Sequence, residues 1–108
     1  MSDKRRATRH PVDLPCTLYV EVAGVDASQR EVRSTRIVNL SSGGALITHA
    51  RAPMGQRLHV TFRVPTLAEE AIAIGGIVRW STDQEIGLQF DGLRPKEVWA
   101  LSKYFEQL

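Results

Sequence analysis

The sequence predicts an all-β fold, a small six-stranded antiparallel β-barrel with a C-terminal α-helix and a flexible basic N-terminal leader. Apolar residues recur at every second position through most of the 108 residues, the spacing that sends alternate side chains to opposite faces of a sheet. Clusters of Gly, Pro, Asn, Asp and Ser cut that alternation into short runs. Six short runs on one chain of this length close most economically into a barrel, because closure removes edges that would otherwise pair with other molecules.

The leader comes first. Residues 1–10 hold Lys4, Arg5, Arg6 and Arg9 against Asp3, with no apolar run, the composition of an unanchored arm. The barrel domain is expected over residues 11–108. Leu14, Cys16, Leu18, Val20 and Val22 alternate with Pro15, Thr17, Tyr19 and Glu21 as a first strand, and the polar stretch from Gly24 to Gln29 turns the chain. A second run from about Glu31 to Leu40 is rich in Val, Ile, Thr and Arg, and it ends in the turn chemistry of Asn39-Leu40-Ser41-Ser42-Gly43-Gly44. Ala45 to Thr48 is a short third strand.

Leu58, Val60, Phe62 and Val64 alternate with Arg57, His59, Thr61 and Arg63 as a half-buried fourth strand, bounded by Pro53-Met54-Gly55 and Pro65. Ile72, Ile74, Gly76, Val78 and Trp80 form a fifth strand, joined through Ser81-Thr82-Asp83-Gln84 to a sixth carrying Ile86, Leu88 and Phe90. Trp80 keeps register with Ile72, Ile74 and Val78 and is expected in the core, the alternative being a stacking platform. Pro95 and Glu97 suit the first turn of a helix over about 95–107, whose stripe of Val98, Leu101, Phe105 and Leu108 should lie on the barrel. Trp99 flanks that stripe and would meet a partner, a second copy or the barrel rim.

The composition, 43% hydrophobic and 24% charged, fits one compact domain. Net charge is only +2; the leader carries +3 and residues 11–108 carry −1, so any anion site must be local. Cys16 is the single cysteine, which excludes an intramolecular disulfide and a multi-cysteine zinc site. No run approaches the roughly 18 apolar residues of a membrane span, and no apolar segment follows the basic residues as in a signal peptide. A soluble cytoplasmic protein without membrane insertion is expected.

No catalytic constellation is present. His10, His49 and His59 are widely spaced, no serine sits in a G-x-S-x-G elbow, and Glu69-Glu70 reads as a solvated pair. Cys16 falls on an apolar face and reads as a small buried hydrophobe. The chain is not expected to be an enzyme or to hold a metal or cofactor.

Two segments carry recognition chemistry. Arg5-Arg6-Ala7-Thr8-Arg9 offers three guanidiniums, each able to fork onto the O6 and N7 edge of guanine, stack on a base or pair with phosphate. By itself it also fits a solubilising tail. Asn39 and Ser41, two apart, would point the same way with an amide and a hydroxyl. Gly43 and Gly44 permit positive φ and close ligand approach, and free N–H groups there could cup an anion. Alone, this segment is an ordinary turn.

Taken together, the RxxxR motif of Arg5 to Arg9 and the N-x-S-x-x-G motif of Asn39, Ser41 and Gly44 resemble the PilZ domain family. The order and number of elements over essentially the whole chain agree with it, and Asn at the first position of the second motif is an accepted form. The resemblance implies a bacterial receptor for the second messenger cyclic di-GMP, signalling as an adaptor without enzymatic activity. Arg5, Arg9 and, beside them, Arg6 would grip guanine edges and phosphates. Asn39 and Ser41 would bond a guanine, and Gly43 and Gly44 would let the ligand approach the backbone. Lys4 would add a phosphate contact or influence whether one ligand or an intercalated pair binds; Ser42, Arg79, Trp80 and Arg36 are further candidate contacts.

With almost nothing beyond this domain in the sequence, the output is expected to reach a separate downstream effector protein, from a monomer or weak homodimer. Two other classes compete. One is a PilZ-like interaction module that does not bind the dinucleotide. The other is a small nucleic-acid-binding barrel, disfavoured because aromatics are only 6% and the net positive charge lies in the leader.

Overall fold

The alternation resolves into β1 (His10–Val20), β2 (Val32–Leu40), β3 (Gly44–Thr48), β4 (Arg57–Phe62), β5 (Ile72–Ser81), β6 (Glu85–Phe90) and α1 (Pro95–Glu106). The computed structural model describes residues 9–20, 32–65 and 71–108; Lys4, Arg5, Arg6, Val22 and the turn expected at Gly24 to Gln29 lie outside them. The strands pair antiparallel in the order β1-β2-β3-β6-β5-β4, and β4 returns to β1 with Cys16 opposite Phe62 and Val20 opposite Leu58. This is the predicted six-stranded barrel with its C-terminal helix.

Period two decides which side chains fill it. Leu58, Val60 and Phe62 of β4 are buried between the outward Arg57, His59 and Thr61, and Ile37, Ile47, Val60 and Ile86 are fully enclosed. Burial of such a side chain contributes roughly 1.5–3 kcal/mol relative to exposure. Val64 is buried beyond the end of β4. β1 starts at His10, the residue to which the basic leader was expected to extend, and His10 pairs with Leu40.

The helix begins at Pro95 as expected, but its buried face is Glu97, Ala100, Leu101 and Tyr104, not the stripe of Val98, Leu101, Phe105 and Leu108. Val98 and Leu108 are exposed, as is Trp99, and Phe105 is half-buried. The rotation follows from a carboxylate that apolar periodicity counts as a surface residue. Glu97 accepts hydrogen bonds from the Arg94 backbone N–H at 2.9 Å and from Arg94 Nη2 at 2.6 Å, and its own N–H donates to the Arg94 carbonyl at 2.9 Å, bonds that compensate its burial. Burial alone would raise the Glu97 pKa, but the hydrogen bonds from Arg94 outweigh it and hold the carboxyl below its ordinary value.

Three irregularities interrupt the ladders. In β1, Pro11 pairs with Asn39 but Leu14 pairs with Ile37, so β1 carries one extra residue between them. In β2, Ile37 pairs with Ile47 but Asn39 pairs with Leu46, leaving Val38 as an extra residue. In β5, Val78 pairs with Leu88 but Trp80 pairs with Gly87, leaving Arg79 as the extra residue. Each bulge resets the inward and outward alternation of its strand. Ile37 and Leu40, three apart, therefore both reach the core, and Trp80 does not.

Candidate functional site

The motifs at Arg9 and Asn39, thirty residues apart in the sequence, meet because β1 and β2 are adjacent and antiparallel. His10 lies opposite Leu40 and Pro11 opposite Asn39, so the residue preceding β1 stands at the mouth of the β2–β3 turn. There Arg9, Asn39, Ser41, Gly43 and Gly44 line a cavity of about 270 Å³ together with Arg79, Trp80, Gly87 and Gln89 from the β5–β6 hairpin. Two guanidiniums face it, and no carboxylate is among its described lining residues. That charge balance suits an anion.

Trp80 is 43% exposed, which corrects its expected place in the core. A regular pairing would put Trp80 opposite Ile86; the extra Arg79 moves it opposite Gly87, and the indole turns outward into the cavity wall. The bulge that releases Trp80 also directs Arg79 there, and Arg79 Nε donates to Gln89 Oε1 at 2.5 Å. Sequence reasoning passed over Gln89 and Gly87. The available signal was a glycine interrupting the alternation of Ile86, Leu88 and Phe90, a mark of close approach within a strand.

The β2–β3 turn differs from its expected form. Ser41 is buried, and its Oγ accepts the N–H groups of Gly43 and Gly44 at 3.1 Å each, while Ser41 N–H donates to the Gly44 carbonyl at 2.9 Å. Those two N–H groups are thus taken up within the turn and form no open anion cup. Neither glycine has positive φ; among the described glycines only Gly55 and Gly92 do so. Gly44 is required for packing, because a Cβ there would collide with the Leu88 carbonyl oxygen of β6, whereas among the described residues the nearest atom to a Cβ on Gly43 beyond its chain neighbours is Ser41 Oγ at 3.9 Å.

Asn39 differs from its neighbours in having an unmet need. Its Oδ1 is buried and, among the described residues, accepts no hydrogen bond, a situation that costs free energy until a donor arrives. Ser42 is exposed in the turn and is not part of the cavity wall. Arg36 does not reach the cavity either: it bonds Asp13 at 2.5 Å and lines a separate depression with Cys16 and His49. Burial pushes the Cys16 thiol up to about 11 despite the opposing influence of Arg36, so it is an inert core group. Among the described residues no three His, Cys, Asp or Glu side chains cluster as metal ligands, and no helix is long and apolar enough to cross a membrane.

A family model for the PilZ domain matches residues 3–107. Among solved structures, the inhibitor of motility MotI/DgrA of Bacillus subtilis superposes with a TM-score of 0.71 at 19% identity, over 95% of this chain and 50% of that one. This chain therefore spans about half the length of that protein. The PilZ domain of CeSA from a cellulose-synthesizing bacterium gives 0.67 at 10% identity, over 93% and 97% of the two chains. The PilZ domain with c-di-GMP of YcgR from Escherichia coli gives 0.68 at 14% identity, over 96% and 91%. A comparison with curated protein sequences finds no match. The barrel order, the helix that follows β6 and a family match across nearly the whole sequence lead to one assignment: this chain belongs to the PilZ domain family.

Proposed function

We propose that this protein is a cytoplasmic bacterial receptor for cyclic di-GMP, without enzymatic activity, which passes the signal as an adaptor to a separate effector protein. The observation that carries the reading is the convergence of Arg9, Arg79 and Trp80 on a cavity lined by Asn39, whose buried Oδ1 accepts no hydrogen bond among the described residues. A guanine supplies N–H donors to that oxygen, its O6 and N7 edge accepts an arginine fork, and its ring offers a face to the indole. Phosphates meet the remaining guanidinium charge.

The cavity volume of about 270 Å³ is below the roughly 300–1,000 Å³ of sites that enclose a drug-sized molecule. It takes one base with its flanking phosphate and leaves the rest of the dinucleotide to the leader, where Arg5, Arg6 and Lys4 are the proposed contacts. Ser41, Gly43 and Gly44 shape the wall, with Ser41 acting through the turn. Bridging of barrel and leader by the ligand creates the surface that the effector reads. Support also comes from YcgR, whose PilZ domain shares the fold and was solved with c-di-GMP.

Isothermal titration with cyclic di-GMP tests this reading. Saturable binding that weakens about tenfold to a hundredfold in Arg9→Ala, the scale of a bidentate arginine–guanine pair, supports it. Absence of heat at high micromolar ligand leaves the interaction module that binds no dinucleotide.

A further inference from the structure

Ile86, Leu88 and Phe90 of β6 point into the core, so Gly87 and Gln89 share its outer face. Both meet the bulged end of β5. A Cβ on Gly87 would overlap the Trp80 indole at Nε1, Cε2 and Cδ1; the ring lies in the space that the missing side chain leaves. Two residues on, Gln89 Oε1 accepts the Nε–H of Arg79 at 2.5 Å. An arginine carries five N–H donors in one plane. When Gln89 takes the Nε–H, that plane is oriented and the terminal amino groups are left to a ligand.

We propose that Gly87 and Gln89 are positioning residues for the cavity, presetting Trp80 and Arg79 respectively in the arrangement that receives a guanine nucleotide. The proposal rests on the cyclic di-GMP reading for its ligand but not for its geometry. Without this outer face of β6, both side chains would be ordered at the moment of binding, and ordering rotamer-rich groups subtracts from affinity. Neither residue needs to touch the ligand. The clash at Gly87 is with a side chain, so an added methyl displaces the ring and leaves the ladder paired.

The test uses full-length protein. In a Trp99→Phe background, where Trp80 is the sole indole, Gly87→Ala should shift the ligand-free emission to longer wavelength and increase acrylamide quenching. Unchanged emission and quenching overturn the seat. In ligand-free NMR spectra, Gln89→Ala should abolish the exchange protection of the Arg79 Nε–H; retained protection, or none in the parent protein, overturns the clamp. With cyclic di-GMP, Gln89→Ala should weaken binding about tenfold, corresponding to about 1.4 kcal/mol, and should add nothing in an Arg79→Ala background. An equal loss in both backgrounds shows Gln89 acting independently of Arg79 and overturns its positioning role. A parent protein that binds no cyclic di-GMP defeats the ligand reading alone, and the two ligand-free measurements then decide the geometry.

Discussion

His10, the first residue of β1, stacks on Phe105 of α1 with ring centroids 4.2 Å apart and planes inclined by 19°. The contact joins the residue following Arg9 to the helix at the other end of the chain. It therefore fixes the entry of β1 at the point where the first motif meets the second. A double-mutant cycle of His10→Ala and Phe105→Ala, read by chemical denaturation, should give a coupling of about 0.5–1.5 kcal/mol, the range of aromatic pairs. Additive losses would mean that the rings merely neighbour one another.

Glu97 sets the rotation of α1, and its removal should be felt as stability. Glu97→Ala deletes charge-assisted bonds from the side chain and backbone of Arg94, and the expected loss is about 1.5–3 kcal/mol. The pH dependence follows from the carboxyl being held below its ordinary value of 4.5. Its contribution is complete above that value and is lost as pH falls through the lower folded-state pKa. Thermal melts across that acid range should show a decline in the parent protein that Glu97→Gln attenuates; parallel declines would remove Glu97 as its source.

Strand alternation, the turn residues and the proline at the helix start were legible along the chain because each is a local property. Leu58, Val60 and Phe62 needed no partner strand to announce their face. The bulges of β2 and β5 were not legible in this way. Whether Val38 or Arg79 is an extra residue depends on what lies opposite, and no window on one strand contains that information. The candidate site suffers most from this, since Asn39 and Trp80 each follow a bulge. The motif residues were recoverable by type, while Gln89 carried no motif and became visible only through its bond to Arg79. The helix face was misread for a related reason: a buried glutamate is satisfied by Arg94, and periodicity weighs hydropathy without partners.

Gly43 and Gly44 are adjacent in one motif yet should respond differently to the same substitution. A methyl on Gly44 meets the rigid carbonyl of Leu88, and Gly44→Ala should cost about 1–3 kcal/mol through overpacking between β3 and β6. Among the described residues beyond its chain neighbours, only Ser41 Oγ, at 3.9 Å, lies near a methyl on Gly43, so Gly43→Ala should stay within about 0.5 kcal/mol of the parent. Urea denaturation of the two variants checks this. If Gly43→Ala keeps stability but weakens cyclic di-GMP binding, the open space beside it belongs to the ligand; equal destabilisation by both variants would contradict the asymmetry of the turn.

Asn39 separates stability from recognition most directly. Its buried Oδ1 lacks a donor among the described residues, and a nearly isosteric apolar side chain removes that desolvation cost. Asn39→Leu should therefore raise ligand-free stability by about 1 kcal/mol and weaken cyclic di-GMP binding by about tenfold or more, because the ligand loses its acceptor. Asn39→Asp should do the reverse. Its carboxylate still accepts guanine N–H groups, so binding persists, but an unpaired buried charge lowers the stability of the empty protein at neutral pH. Calorimetric melts with and without ligand measure both quantities on the same variants. Opposite signs for the two substitutions identify Asn39 as an acceptor held ready for a ligand, whereas destabilisation by Asn39→Leu would make it a structural amide of the β2 bulge.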